Sequence, residues 1–286
     1  MNDSASQASA PIVSTAWLAD RLGTAGLSIV DASWYLPAAN RDGKAEYAAG
    51  HIPGAVFFDI DEVSDKSSDL PHMLPDPTGF AQAAAGLGVN TDDDIVVYDG
   101  GGLFSAPRVW WMFRLFGARK VHVLDGGLPR WKTEGRPVEQ GVAQRHTGAF
   151  TATLNKDGVA HMADVAAALQ DNSAQVLDVR AAGRFTGETP EPRPGLPSGH
   201  MPGARNLPTT ELVANGALKS KEELLKAFHD AGINPDEALI TSCGSGVSAA
   251  IANLALAVAG KPQPKLYDGS WTEWASRGQP VAKGKP

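Results

Sequence analysis

The sequence predicts a tandem α/β protein, two copies of one unit, each wound around a parallel sheet. Three observations predict it. Phrases recur in order across the two halves: LSIVDASWYL answers AQVLDVRAAGRF, AAGHIPGAVFF answers PSGHMPGARNL, and LDGGLPRWKTEGRPV answers YDGSWTEWASRGQPV. Each half alternates short apolar runs with helical patterns, as α/β units do. The apolar runs are continuous rather than alternating, which suits strands covered on both faces. His51 and His200 are 149 residues apart and Trp131 and Trp274 are 143 apart, so the loops changed length while the unit stayed.

Taken in chain order, the first copy gives strands at LSIVDA, AVFF, IVVYD and VHVLD, and the second gives QVLDV, ARNL, ALITS and PKLYD. In PRVWWMFRLFG, Pro107 suits the first turn of a helix, and Trp110 and Trp111 read as core. The repeated Trp131 and Trp274 read as scaffold. SKEELLKAFHDAG starts a helix with Ser220 and Glu223 as a capping box and stops it at Gly232. The weakly periodic stretch 141–157 shares no phrase with either copy. The expected organisation is a disordered tail at 1–10, a first domain at 11–140, a linker at 141–157 and a second domain at 158–286.

Composition excludes several classes of function. The 286 residues are 43% hydrophobic and 20% charged, the balance of a soluble globular chain. A net charge of −7 gives no basic field for nucleic acid. The first residues lack the basic and apolar regions of a secretory signal. The most apolar stretch, 249–259, is too short to cross a bilayer, so no membrane partner is expected. A single cysteine rules out an internal disulfide and a cysteine-rich metal site, and it fits a reducing cytoplasm. Neither metal nor cofactor is expected.

That cysteine is the main chemical signal. Aligning IVVYDGGGLFSAP with LITSCGSGVSAA sets Asp99 opposite Cys243, so the scaffold is doubled but the thiol is not. A lone cysteine is often only a small core hydrophobe. Here it ends a strand and precedes a glycine loop and a helix beginning near Ser248, which places the sulfur at the carboxyl edge of a sheet, where open α/β folds bind ligands. Gly244 and Gly246 let backbone N–H groups converge there, and the helix adds its positive end, so the thiolate form is favoured. The first copy is expected to be catalytically silent.

The loop CGSGVS, with DGSWTEW, GRF…EPRPG…GHMPGA and HIPGAVFFDID…HMLP, resembles the tandem-domain sulfurtransferases of the rhodanese superfamily, within it the branch that uses 3-mercaptopyruvate. The resemblance runs from about Trp17 to Val281. It implies two similar domains, each a five-stranded parallel sheet flanked by helices, with the active site in the cleft between them. It implies attack by Cys243 on the sulfur of 3-mercaptopyruvate, departure of pyruvate as its enolate, and a Cys243 persulfide that a thiol or cyanide then empties. A thioredoxin-like thiol is a plausible acceptor from the family's behaviour. Gly244, Ser245, Gly246, Val247 and Ser248 would form the loop, with the Ser245 hydroxyl donating or relaying a proton. Arg184 and Arg193 match the family's substrate arginines, a suitable pair for a 2-keto acid carboxylate. Arg180 reads as a structural ion-pair former. The family gives His51 and Asp42 a supporting role, although His200 in the same phrase of copy two suggests a shared scaffolding job for both histidines.

Thiosulfate-preferring relatives carry basic residues directly after the cysteine, whereas this loop is neutral. Thiosulfate:cyanide sulfur transfer and a non-catalytic sulfur carrier remain the alternatives. A cysteine phosphatase would need an arginine about six residues after the thiol, where this chain has Ala249.

Overall fold

Two parallel sheets of five strands organise the computed structural model, which describes residues 10–143 and 145–285. Apart from Ala10, the expected tail at 1–10 lies outside the described residues. The first sheet comprises β1 (Ile12–Val13), β2 (Leu27–Asp31), β3 (Val56–Phe57), β4 (Asp94–Tyr98) and β5 (Val121–Leu124), in the order β1-β5-β4-β2-β3. The second comprises β6 (Val159–Ala160), β7 (Gln175–Asp178), β8 (Arg205–Asn206), β11 (Leu239–Ser242) and β12 (Lys265–Tyr267), in the equivalent order β6-β12-β11-β7-β8. A hairpin of β9 (Val213–Ala214) and β10 (Ala217–Leu218) is the one antiparallel pair of strands among the described residues, beside two isolated antiparallel bridges.

The strands form where the continuous apolar runs lie. Ile95, Val96 and Val97 in β4 are fully buried, as are Val121, Val123 and Leu124 in β5, because helices cover both faces of the sheet. The first half supplies α1 (Thr15–Ala19), α2 (Gly43–Ala49), α3 (Pro77–Gly86), α4 (Ala106–Leu115) and α5 (Gly127–Thr133). The second supplies α6 (Met162–Asp171), α7 (Ala182–Thr186), α8 (Lys221–Asp230), α9 (Ala249–Ala259) and α10 (Ser270–Ser276). Ser220 and Glu223 close the capping box on α8 in both directions, and Pro107 lies in the first turn of α4. Trp110, Trp111, Trp131 and Trp274 are all buried.

Two edge strands, β1 and β6, escape the sequence reading. Each has only two residues, too short to carry a period of its own.

The halves share one core. Buried residues of α4, among them Val109, Trp111 and Leu115, belong to the same apolar cluster as Ala249, Ile251 and Leu254 of α9. The long apolar helix is therefore covered by the other domain rather than by lipid. Among the described residues no helix is long and apolar enough to cross a membrane.

Strand order reverses beside β11 in the second sheet: β7 leads to β8 on one side, while β11 leads to β12 and β6 on the other. The carboxyl ends of β7 and β11, with Asp178 opposite Ser242 in register, thus mark the crevice where such sheets take ligands. Cys243 follows at once.

Candidate active site

The loop from Cys243 to Ser248 joins β11 to α9, and Cys243 is 2% exposed at its base. Gly246 has φ +76°, and a methyl group there would lie 2.7 Å from the Asp268 carbonyl oxygen, so both its conformation and its surroundings call for glycine. The start of α10 clamps the loop from one side. The Trp271 and Thr272 amides donate to the Cys243 and Gly244 carbonyls at 3.0 and 2.9 Å. Ser270 Oγ accepts from the Cys243 and Gly246 amides, both at 3.1 Å, and lies 4.0 Å from the sulfur.

The first half displays what such a loop holds. Tyr98 pairs with Asp31 as Ser242 pairs with Asp178, so Asp99 stands in the place of Cys243. Its Oδ2 accepts from the amides of Phe104, Ser105 and Ala106 at 2.8 to 2.9 Å, and its Oδ1 accepts from Gly101 at 2.9 Å. The loop ahead of the helix is thus an anion-binding nest, and in the first half the chain fills it with its own carboxylate. Ser105 caps α4 as Ser248 caps α9, which pairs Phe104, Ser105 and Ala106 with Val247, Ser248 and Ala249.

Two arginines face the loop. A methyl group on Gly244 would lie 3.0 Å from Arg184 Nη2 and 4.0 Å from Arg193 Nη1. The Glu191 side chain is buried and holds Arg184 through Nη2 at 2.6 Å, and it binds Arg180 Nη1 at 2.8 Å. Arg180 also forks onto Asp178 and lies over the Trp271 ring at 4.3 Å. Burial opposes the charge on Arg180, and Asp178 and Glu191 outweigh it, so its pKa is raised. It braces Glu191, which in turn holds Arg184 on α7. Arg193 differs: burial, with Arg184 acting in the same direction, pulls its pKa below the ordinary value, and the negative form of Cys243 opposes that shift. An anion arriving here would oppose that shift as the negative form of Cys243 does.

The first half contributes groups to which sequence reasoning assigns no role. His72 is buried with its Nε2 3.2 Å from Arg193 Nη2 and its Nδ1 2.7 Å from Asp61 Oδ1. Trp34 donates to the other Asp61 oxygen at 2.9 Å and meets the His72 ring edge-on. The hydrogen bond from His72 holds the Asp61 carboxyl below the usual carboxylate range. This chain of contacts fixes an imidazole against Arg193 of the second domain. His72 and Asp61 belong to the stretch DID…HMLP, which has no repeated counterpart in copy two, and that asymmetry was the available signal.

The structure brings Cys243, Gly244, Gly246, Arg184 and Arg193 together, with Ser245 and Val247 buried in the same loop and Ser248 at the helix start. It engages His51 and Asp42 elsewhere. His51 stacks on Tyr47 and bonds its carbonyl at 2.9 Å, as His200 does with Phe185. The backbones of His51 and His200 pair with Glu139 and Ala282. The two histidines are one scaffold element used twice. Asp42 caps α2 by accepting from the Ala45 amide at 3.0 Å.

The family model described as a rhodanese-like domain matches residues 14–134 and again 161–277. The chain is 49% identical over 262 residues to the 3-mercaptopyruvate sulfurtransferase of Escherichia coli K12, covering 91% of this chain and 93% of that one. It is 44% identical over 285 residues to the thiosulfate sulfurtransferase of Bos taurus, covering 96% of each. The crystal structure of SseA from Escherichia coli, described as a 3-mercaptopyruvate sulfotransferase, superposes with a TM-score of 0.85 at 46% identity, covering 92% of this chain and 99% of that one.

Proposed function

The chain belongs to the rhodanese family, and from that premise we propose that it is a 3-mercaptopyruvate sulfurtransferase working through a persulfide on Cys243. The observation that carries the choice of donor is a cysteine loop with no cation of its own, faced by Arg184 and Arg193. That arrangement suits a 2-keto carboxylate held beside the sulfur, with the sulfur itself approached by uncharged groups.

The Cys243 thiolate attacks the sulfur of 3-mercaptopyruvate and forms an S–S bond. The carbon–sulfur bond breaks, and its electron pair passes into the keto group as the enolate of pyruvate. Arg184 and Arg193 bind the carboxylate and stabilise the charge developing on the keto oxygen. The enolate carbon takes a proton, a step to which the Ser245 hydroxyl in the loop and the His72–Asp61 pair beside Arg193 are suited. An acceptor thiolate or cyanide then attacks the outer sulfur and releases Cys243 as the thiolate, stabilised again by the loop amides. A thioredoxin-like dithiol in the cytoplasm suits this second step, since a reducing compartment keeps a lone thiol free.

The test is turnover. Many pyruvates per chain, with a thiol acceptor present, are expected. A single stoichiometric burst would instead identify a sulfur carrier. After treatment with the donor alone, mass spectrometry should find one added sulfur atom on Cys243, and Cys243→Ser should neither gain sulfur nor release pyruvate. A second reading, thiosulfate as donor, is favoured by the 44% identity to the bovine thiosulfate sulfurtransferase. Competition between the two donors in one assay decides between them: preferential consumption of thiosulfate would overturn the first.

A further inference from the structure

Arg108 lies on α4 of the first half, yet it is fully buried against the second half's loop. Its Nη1 donates to the Gly246 carbonyl at 3.2 Å and to Asp268 Oδ1 at 2.5 Å, and its Nη2 donates to the His72 carbonyl at 2.7 Å. Asp268 Oδ2 accepts from the Leu74 amide at 2.8 Å. One guanidinium therefore joins the middle of the cysteine loop to the backbone that carries His72.

The direction of the Gly246 carbonyl matters. In a trans peptide the C=O and the following N–H point to opposite sides, so holding the Gly246 oxygen on Arg108 turns the Val247 N–H the other way. The matching residue of the first half, Phe104, uses its N–H to hold the Asp99 carboxylate at 2.8 Å. Asp99 stands where Cys243 stands. Ser270 fixes the preceding peptide by accepting the Gly246 N–H.

We propose that Arg108 is a positioning residue for sulfur transfer: it aims the Val247 amide at the Cys243 sulfur and sets the His72 segment in the same act. A group from the silent domain thereby makes the loop of the other domain competent. The proposal rests on Cys243 as nucleophile and adds a residue that acts on it from the opposite half.

Arg108→Lys tests it, because lysine keeps a cation for Asp268 but loses the planar fork that reaches two carbonyls. Thiolate absorbance against pH, taken as the difference from Cys243→Ser, reads the sulfur alone in a chain with one cysteine. Arg184, Arg193, His72 and Asp268, the other titratable groups facing the loop, remain in both proteins. Losing one aligned amide should move the midpoint up by about one pH unit. The kcat for pyruvate release near neutral pH should fall about tenfold while KM stays within about twofold, since the substrate arginines are intact. A folded Arg108→Lys protein with an unmoved midpoint overturns the proposal.

Should that variant fail to fold, the unmodified chain decides by NMR. The Val247 amide proton must shift with the Cys243 titration, and a Val247 signal indifferent to it overturns the proposal equally. Thiol titration needs no sulfur transfer, so its failure is distinct from a failure of the Cys243→Ser activity test.

Discussion

Asp99 and Cys243 show how one backbone device serves two chemistries. Asp99 satisfies four loop amides with its side-chain oxygens, which stabilises the first half and puts a carboxyl group where the second half has its thiol. Asp99→Leu leaves those amides without an acceptor and should cost about 3 kcal/mol, read as a lower urea midpoint. Its neighbour Asp31 behaves differently. Its partner in the doubled scaffold, Asp178, has Arg180 to neutralise it, whereas burial pushes Asp31 up to about 6, hydrogen bonds from Ser33 and Tyr98 oppose the shift, and the nearby Asp99 charge adds to it. A carboxyl raised above its unfolded value stabilises the fold at low pH and loses that contribution as pH rises from about 4 to about 6. Asp31→Asn keeps an oxygen for Ser33 and avoids the buried charge. It should be more stable than the parent at pH 8 by about 3 kcal/mol, with the gap closing near pH 4. A constant gap across that range would place its origin outside this titration. At Gly244 the space is taken by Arg184, so Gly244→Ala should raise KM for the keto acid severalfold while leaving the melting temperature nearly unchanged.

Among the elements, the start of α10 has the clearest division of labour. Ser270 has φ +51°, a left-handed conformation that costs a non-glycine residue about 1 kcal/mol, and the first half puts Gly127 at φ +53° in the same position. The Leu128 amide reaches the Asp99 carbonyl at 3.1 Å as the Trp271 amide reaches Cys243 at 3.0 Å, so the backbone task is common to both. Only the hydroxyl is extra. Because it accepts two loop amides, Ser270→Gly should relieve the strain but leave those amides without an acceptor, for a net loss of about 1–2 kcal/mol while kcat falls about tenfold; full activity in that variant would mean that the loop holds itself. This contrast explains what was legible. Strands with continuous buried runs, the α8 capping box and the cysteine loop are written locally, in periods and spacings that sequence displays. The edge strands are too short to have a period, and the β9–β10 hairpin offers only two residues a side. The site was half legible. Arg184 and Arg193 sit in the same half as Cys243, but His72, Asp61 and Arg108 enter it through domain packing, and no local spacing encodes that.

At the scale of the whole molecule, the halves cover each other's loops. Residues around His72 lie over the Cys243 loop, and the hairpin tip at Gly216 packs on Gly102, where an added methyl group on Gly102 would lie 2.8 Å from the Gly216 Cα. The shared core of α4 and α9 and the buried Arg108–Asp268 pair cross the same boundary. Breaking such a pair by losing one partner costs about 3–5 kcal/mol, and separating the halves would also expose the apolar face of α9 to water. Neither half therefore has an intact core without the other. Equilibrium unfolding should then be one cooperative event. Five of the seven tryptophans lie in the first half and the lone cysteine in the second, so tryptophan fluorescence and thiol reactivity report different halves of the same chain. Their urea curves should superimpose. Residues 158–286 expressed alone should be inactive and prone to aggregation, and co-expression with residues 10–157 should restore pyruvate release. Two separated transitions, or an active isolated second half, would mean that the first half is a passenger rather than part of the site.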